Sequence, residues 1–127
     1  MSGKLYLCAT PIGNLEDITL RVLRVLKEAD LIAAEDTRNS IKLLNHFDIK
    51  TPMTSYHEYN KIEKAYTLIE KMREGMNIAL ITDAGTPGIS DPGEELARMC
   101  MDAGIEVTSL PGPVSYTHLT LPTILRV

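Results

Sequence analysis

The stretch Asp83–Gly93, DAGTPGISDPG, follows an apolar run at Asn77–Thr82 and precedes an amphipathic segment that begins at Pro92. The apolar run is typical of a buried strand, and the amphipathic segment is typical of a helix. Strand-to-helix connections usually need about 2–6 residues, so this loop is long, and it is unusually rich in glycine and proline. Because open α/β sheets bind ligands beyond the carboxyl ends of their strands, the stretch predicts a binding loop; an elaborate turn is the alternative.

Apolar, β-leaning runs alternate with helical patterns along the rest of the chain. Strict alternation favours the α/β class, here a five-stranded, mostly parallel sheet flanked by helices. The predicted strands are Lys4–Ala9, Leu31–Ala34, Met53–Tyr56, Asn77–Thr82 and Ile105–Leu110. The predicted helices are Ile18–Ala29, Asn39–Phe47, Lys61–Arg73 and a last one that starts at Pro92 and is ended by Gly104.

Several residues are of types that begin or end helices. Asn60 and Glu63 have the spacing of a capping box, and Asp91 is placed to cap the last helix. Gly75 and Gly104 follow the third and fourth helices, where a left-handed residue is favoured. In the third helix one apolar face is predicted from the spacing of Ile62, Ala65, Tyr66, Ile69 and Met72.

The composition is that of a globular protein, since 44% hydrophobic and 24% charged residues suffice for a packed core. The net charge of −4 argues against indiscriminate binding of nucleic acid, so such a partner would have to be recruited by a local basic patch. Basic residues recur on the first and third predicted helices, and we interpret most of them as solvated. They are Arg21, Arg24, Lys27, Lys61, Lys64, Lys71 and Arg73.

The sequence also bears on location and on redox and metal chemistry. No apolar run is long enough to span a membrane, and the first residues lead directly into a strand, so a cytoplasmic location is expected. Cys8 and Cys100 are far apart, in apolar contexts, and are interpreted as reduced core thiols. No set of His, Cys and Asp residues has metal-ligand spacing, and no metal is expected.

The unusual residues follow the predicted strands and do not precede them. Since the carboxyl ends of a parallel sheet lie at one edge, the loops that carry these residues are expected to meet there and form a site. The loops are TPIGNLED at Thr10–Asp17, EDTR at Glu35–Arg38, HEYN at His57–Asn60, DAGTPGISDPG at Asp83–Gly93 and PGP at Pro111–Pro113.

The segments TPIGNLEDIT, AAEDTR and LITDAGTPGISDPG, in this order and spacing, closely resemble the ribosomal RNA small-subunit methyltransferase I family of the tetrapyrrole-methylase-like superfamily. The resemblance covers Lys4 to about Pro113. It implies the N-terminal domain of a two-domain α/β fold, with S-adenosylmethionine as methyl donor. It also implies a cytidine ribose 2′-hydroxyl of 16S rRNA in the small ribosomal subunit as acceptor, and a homodimer at full length.

In that family the loop matching Asp83–Asp91 lines the cofactor cleft. Glycines let backbone groups approach a ligand closely, and prolines reduce the entropy lost on binding. The tripeptide Pro11–Gly13 stands where tetrapyrrole methylases carry Gly-Pro-Gly, and the altered pattern suits a different acceptor. The resemblance thus implies these cofactor-binding residues: Pro11, Ile12, Gly13, Asp83, Ala84, Gly85, Thr86, Pro87, Gly88, Ile89, Ser90, Asp91, Pro111 and Gly112.

Methyl transfer from a sulfonium is an in-line displacement, in which positioning supplies most of the catalysis. A ribose hydroxyl also needs its proton removed or its developing charge stabilised. Candidate catalytic residues on the expected edge are Glu35, Asp36, Arg38 and His57, with Glu58 beside them. The alternatives are an Asp36–Arg38 ion pair that fixes the loop, an Arg38 contact to an RNA phosphate, and an ordinary polar role for His57.

Two other functions fit parts of the sequence. A small-molecule methylase of the tetrapyrrole type would share the cofactor loop, but its Gly-Pro-Gly pattern is missing here. A non-catalytic α/β binding module, such as a receiver-like domain with Asp36 and Asp83 in an acidic pocket, would need Mg²⁺, and the loop rich in proline and glycine suits a cofactor better. No phosphate-binding P-loop pattern occurs.

Residues 114–127 depart from the family pattern. A transposase-type sequencing-library adapter encodes Val114–Thr123 in one reading frame, so we expect a non-native tail; a β-leaning strand is the alternative. The expected domain is therefore 1–113, with the C-terminal domain absent. Half of the cofactor cleft would be absent with it, so the chain as it stands is expected to be inactive.

Overall fold

One parallel sheet is the centre of the computed structural model, which describes residues 3–10, 18–57, 59–83 and 91–110. Its five strands are β1 (Lys4–Thr10), β2 (Leu31–Ala34), β3 (Met53–Ser55), β4 (Ile78–Asp83) and β5 (Glu106–Leu110). The helices that alternate with them in these ranges are α1 (Leu20–Glu28), α2 (Thr37–His46), α3 (Lys61–Arg73) and α4 (Asp91–Asp102). Every pairing of these strands is parallel, which confirms the predicted α/β class.

The strand order is β3-β2-β4-β1-β5, with β4 in the middle. Residues Ile78–Ile81 of β4 are at most 6% exposed, so this strand is buried on both faces. Such burial explains its continuous apolar sequence, which is typical of parallel sheets covered by helices on both sides. β4 pairs with β1 from Leu5↔Ile78 to Thr10↔Asp83, so the carboxyl ends of these two strands lie level.

Helices cover the two faces of the sheet in pairs. On one face α3 and α4 pack against the strands, and on the other face α1 and α2 do so. The first core cluster includes Leu5, Leu7, Ile78, Leu80, Leu68, Met72, Leu96 and Cys100. The second includes Cys8, Ile32, Ala79, Ile81, Val22, Leu26, Leu43 and Leu44. The alternation of adjacent strand residues between the two clusters is the period-2 pattern of a strand with two buried faces.

The predicted apolar face of α3 is partly wrong. Ile62 and Tyr66 are 69% and 64% exposed, although both have helical spacing with the buried residues. At about 100° per residue they lie to one side of the line that faces the sheet, so the apolar stripe is broader than the contact surface. The side chains of α3 that the sheet buries are Ala65, Leu68, Ile69 and Met72.

The predicted capping residues of two helices are also corrected. Asn60 precedes α3 but makes no side-chain capping bond; its Oδ1 accepts from the His57 backbone N–H at 2.8 Å, so the capping box with Glu63 does not form. Asp91, predicted to precede the last helix, is the first residue of α4. The predicted helix ends are confirmed, because Gly75 and Gly104 have φ of 108° and 78°, which glycine adopts without steric cost.

Cys8 and Cys100 are buried thiols that form no disulfide, as predicted. Burial raises the pKa of the Cys8 thiol to about 12 and that of the Cys100 thiol to about 11, because an apolar interior disfavours the thiolate. In the described part of the chain, no helix has both the length and the hydropathy that crossing a membrane requires.

We expect the free energy of unfolding to fall as the pH rises from about 9 towards 12. The unfolded thiols ionise near 9.0, whereas the folded Cys8 thiol keeps its proton until about pH 12. Above pH 9 the unfolded state therefore binds fewer protons, which lowers stability by up to about 1.4 kcal/mol per pH unit for each such thiol. Urea denaturation of the wild type and Cys8→Ala between pH 8 and 11 measures this effect, and the variant must show the shallower pH dependence; equal slopes would contradict the assignment.

Candidate functional site

The carboxyl ends of β1 and β4 lie side by side at one edge of the sheet. The chain after β1 leads to α1 on one face, whereas the chain after β4 leads to α4 on the opposite face. Adjacent parallel strands whose connections diverge in this way leave the crevice in which open α/β sheets bind ligands. Thr10 and Asp83 pair at its floor, and Thr10 is a buried polar residue at 5% exposure that the sequence analysis did not single out.

The described residues include only part of the predicted cofactor-binding set. Asp83 ends β4 and Asp91 begins α4, so these two residues bound the predicted loop on either side. The remaining members lie outside the described residues: Pro11, Ile12, Gly13, Ala84, Gly85, Thr86, Pro87, Gly88, Ile89, Ser90, Pro111 and Gly112. Glu58, named beside the catalytic candidates, lies outside them as well.

Asp36 caps α2. One carboxylate oxygen accepts hydrogen bonds from the backbone N–H groups of Arg38 and Asn39 at 3.1 and 3.3 Å, and the other accepts from the Asn39 side chain at 2.8 Å. The backbone donors belong to the first turn of the helix, where N–H groups have no acceptor within the helix itself. The carboxylate is thus used structurally, and the alternative ion pair between Asp36 and the Arg38 side chain does not form.

Glu35 and Arg38 lie on either side of this cap, and both are exposed. Glu35 follows the last residue of β2, the strand that pairs directly with β4. Neither side chain forms an ion pair with another described residue. Of the two groups, Glu35 can accept a proton, and Arg38, which stays protonated in proteins, can bind an anion.

His57 lies at the carboxyl end of β3 and is half-buried. Its Nδ1 accepts a hydrogen bond from the Tyr59 backbone N–H at 3.2 Å, and its own backbone N–H donates to Asn60. In neutral histidine an accepting Nδ1 leaves the proton on Nε2, which makes that nitrogen a hydrogen-bond donor.

Lysines of α3 fix the elements around the edge. Lys61 forms a 2.8 Å salt bridge with Glu95, which links the beginnings of α3 and α4. Lys64 donates to the Thr54 hydroxyl at 3.0 Å and so anchors α3 on β3. Both residues are partly buried, so they are among the exceptions to the prediction that most basic residues of α1 and α3 are solvated. Among the described residues, no group of three or more His, Cys, Asp or Glu side chains could hold a metal ion.

The all-parallel sheet, with connections that diverge after β1 and β4, defines an α/β domain of the class that binds ligands at this edge. The chain belongs to the family Tetrapyrrole (Corrin/Porphyrin) Methylases, whose family model matches residues 4–120. A uroporphyrin-III-C-methyltransferase structure from Thermus thermophilus is 27% identical with a TM-score of 0.69 and covers 96% of this chain and 55% of its own. A structure titled uroporphyrin-III C-methyl transferase from Thermus thermophilus complexed with S-adenyl homocysteine has the same fold. It is 20% identical with a TM-score of 0.66 and covers 87% of this chain and 45% of its own.

Curated relatives are considerably more similar in sequence. The ribosomal RNA small subunit methyltransferase I of Haemophilus influenzae is 58% identical over 112 residues, which is 88% of this chain and 40% of the relative. The protein of the same name from Halalkalibacterium halodurans is 60% identical over 110 residues, or 87% of this chain and 38% of the relative. The chain thus spans about 40% of the length of the curated relatives that it matches.

Replacing Asp36 tests whether this carboxylate is structural. Asp36→Ala removes the acceptor for two backbone N–H groups and is expected to cost about 0.5–2 kcal/mol of folding free energy. Asp36→Asn keeps a capping oxygen and should lose much less. Thermal or urea denaturation followed by circular dichroism distinguishes the two variants; an Asp36→Ala protein as stable as the wild type would refute the capping role.

Proposed function

We propose that this chain is the N-terminal domain of an S-adenosylmethionine-dependent methyltransferase that modifies the 2′-hydroxyl of a cytidine ribose in 16S rRNA. The observation that carries this proposal is the identity of 52–60% over 109–112 residues with curated relatives named ribosomal RNA small subunit methyltransferase I. The 27% identity with the tetrapyrrole enzyme is much lower, which favours the RNA acceptor over a small-molecule one.

The proposed cofactor site is the crevice between β1 and β4. It suits such a group because the two strands end level, with a buried polar residue at the floor, and their connections diverge to opposite faces. The residues proposed to hold the cofactor are those of Pro11–Gly13 and Asp83–Asp91, with Pro111 and Gly112. When bound, S-adenosylmethionine supplies an electrophilic methyl group on sulfur.

Glu35 is the proposed proton acceptor for the ribose hydroxyl. The Asp36 carboxylate is occupied by the start of α2, and the His57 Nδ1 is occupied by the Tyr59 backbone. Glu35 is exposed at the end of β2 and forms no ion pair with another described residue, so its carboxylate is available to accept a hydrogen bond from a substrate hydroxyl. Its task is to take the hydroxyl proton as the oxygen attacks the methyl carbon.

The partner is proposed to be the small ribosomal subunit, the location the cytoplasm, and the full-length assembly a homodimer. The names of the curated relatives support the ribosomal partner. A ribosomal substrate in turn favours a location in the cytoplasm. The receiver-like module is disfavoured, because the Asp36 carboxylate that its acidic pocket would require is engaged by helix N–H groups.

The proposed domain organisation is one methylase domain over 1–113 followed by a non-native tail over 114–127. Alignments of 109–112 residues with the curated relatives are compatible with a domain of this size. An independent long sequencing read across the codons for residues 111–127 tests the tail: a frame that continues into further coding sequence supports it, and an unchanged tail overturns it.

A chimera tests the activity. In it, residues 4–110 of this chain replace the matching segment of the Haemophilus influenzae relative, which supplies the rest of the cleft. We expect the chimera to bind S-adenosylmethionine in isothermal titration and to transfer a labelled methyl group to small subunits from cells that lack this modification. The 127-residue chain alone should bind the cofactor weakly and transfer none, since it would contribute only part of the cleft. A chimera that binds the cofactor but methylates a tetrapyrrole and not rRNA would favour the alternative acceptor.

The role of Glu35 is tested in the same chimera with matched carboxamide variants. Glu35→Gln removes the proton acceptor and should lower kcat by about 100-fold or more with little change in the KM for RNA. Asp36→Asn, which changes the charge of the adjacent residue and keeps the cap, should retain kcat within about threefold. Equal kcat values for Glu35→Gln and the unsubstituted chimera would exclude Glu35 as the base.

A further inference from the structure

Charge is distributed unequally between the two helical layers. Within α1 and α2 there are five Arg and Lys residues and one acid, Glu28. α3 and α4, on the opposite face, together have five Arg and Lys residues and six acids. A chain with a net charge of −4 thus carries its basic residues in excess on one side of the sheet, the side formed by α1 and α2.

The basic residues of α1 and α2 begin at the helix N-termini. Arg21 and Arg38 are each the second residue of their helix, and neither first turn contains an acid. The positive end of the helix dipole disfavours cations there and favours anions. α3, in contrast, has Glu63 in its first turn. Arg21 is therefore placed against the local field of α1, an arrangement that a bound anion would relieve. At α2 the Asp36 carboxylate already lies at the positive end of the helix.

These positions lie close to the proposed site. Each helix runs back antiparallel to the strand before it, so the first turns of α1 and α2 are at the carboxyl edge of the sheet. One turn further along, Arg24 follows Arg21 and Lys42 follows Arg38, which continues the positive charge down the layer by about 5 Å. All four side chains belong to exposed residues.

The four cations have no acidic partner among the described residues, whereas two cations on the opposite face do. On the opposite face Lys61 pairs with Glu95 and Arg98 pairs with Glu94. Lys27, at the far end of α1, is a different case: the hydrogen bond and charge of Lys50, followed by the charge of Lys27, lower the pKa of Asp48, so an acid lies near it. Lys27 is therefore not included in the surface.

We propose that Arg21, Arg24, Arg38 and Lys42 form a surface that binds the phosphate backbone of RNA and leads it to the crevice at the carboxyl edge. A polyanion with regularly repeated charges suits exposed cations that continue over successive helix turns. The identification of the polyanion as ribosomal RNA rests on the proposed function. The surface positions the substrate, whereas Glu35 and the cofactor perform the reaction.

The salt dependence of RNA binding tests this surface. Binding of the 127-residue chain to a fluorescein-labelled fragment of small-subunit rRNA is measured by anisotropy between about 50 and 200 mM KCl. Substitution of all four residues with glutamine should reduce the slope of log K against log[KCl] by about 3, at about 0.7 per lost phosphate contact. Near 0.1 M KCl the affinity should fall on the order of 100-fold.

A second variant, with Lys4, Lys50, Lys71 and Arg73 changed to glutamine, provides the same change in net charge elsewhere. Its slope should change by less than about 1. A loss as large as that of the first variant, or no measurable binding by the wild type, would overturn the proposal. Circular dichroism melting must show both variants folded, and removal of cations from two helix N-termini is not expected to destabilise the first.

The chimera separates this surface from the proposed activity. If the four glutamine substitutions leave its KM for RNA unchanged while it still methylates rRNA, the surface is wrong and the activity stands. If the chimera transfers no methyl group but the 127-residue chain binds RNA through these four residues, the surface stands and the proposed reaction fails.

Discussion

Burial of β4 on both faces is the constraint on which the rest of this structure depends. A strand whose residues Ile78–Ile81 are almost inaccessible must pair along both edges, because unpaired backbone groups in an apolar interior are costly. Parallel pairing with β2 and β1 meets that requirement and forces each connection to cross a face of the sheet as a helix. The same pairing brings three strand ends to one edge, side by side.

Several polar groups among the described residues of this edge stabilise its structure. Asp36 satisfies the first turn of α2, Asn60 bridges His57 and Ser55, and Lys61 ties α3 to α4 through Glu95. A reaction that depends on positioning two bound molecules gains from such rigidity, because little order remains to be imposed on binding. Among the described residues of this edge, Glu35 is the group proposed for proton transfer, and the electrophile of the proposed displacement would come with the cofactor.

The sequence predicted the fold well because its signals were local and repeated. The predicted and observed bounds of the strands and helices agree to within two residues, since alternation and apolar periodicity directly reflect burial.

The functional site was less predictable than the fold. Whether Asn60 caps α3 or bonds back to His57 depends on side-chain direction, which spacing does not encode. Likewise, EDTR contains three charged residues that are equivalent in the sequence, and only the position at the start of α2 distinguishes the capping Asp36 from Glu35 and Arg38.

Net charge was the least informative sequence property, for a physical reason. At physiological ionic strength the Debye length is about 8 Å, so a ligand at one surface responds to the charges near it and hardly to those on the opposite face of the sheet. Here the acids of α4 lie on that opposite face, where Glu95 and Glu94 pair with Lys61 and Arg98. The exposed cations of α1 and α2 therefore determine the field that an approaching polyanion meets on their side, whatever the sign of the total.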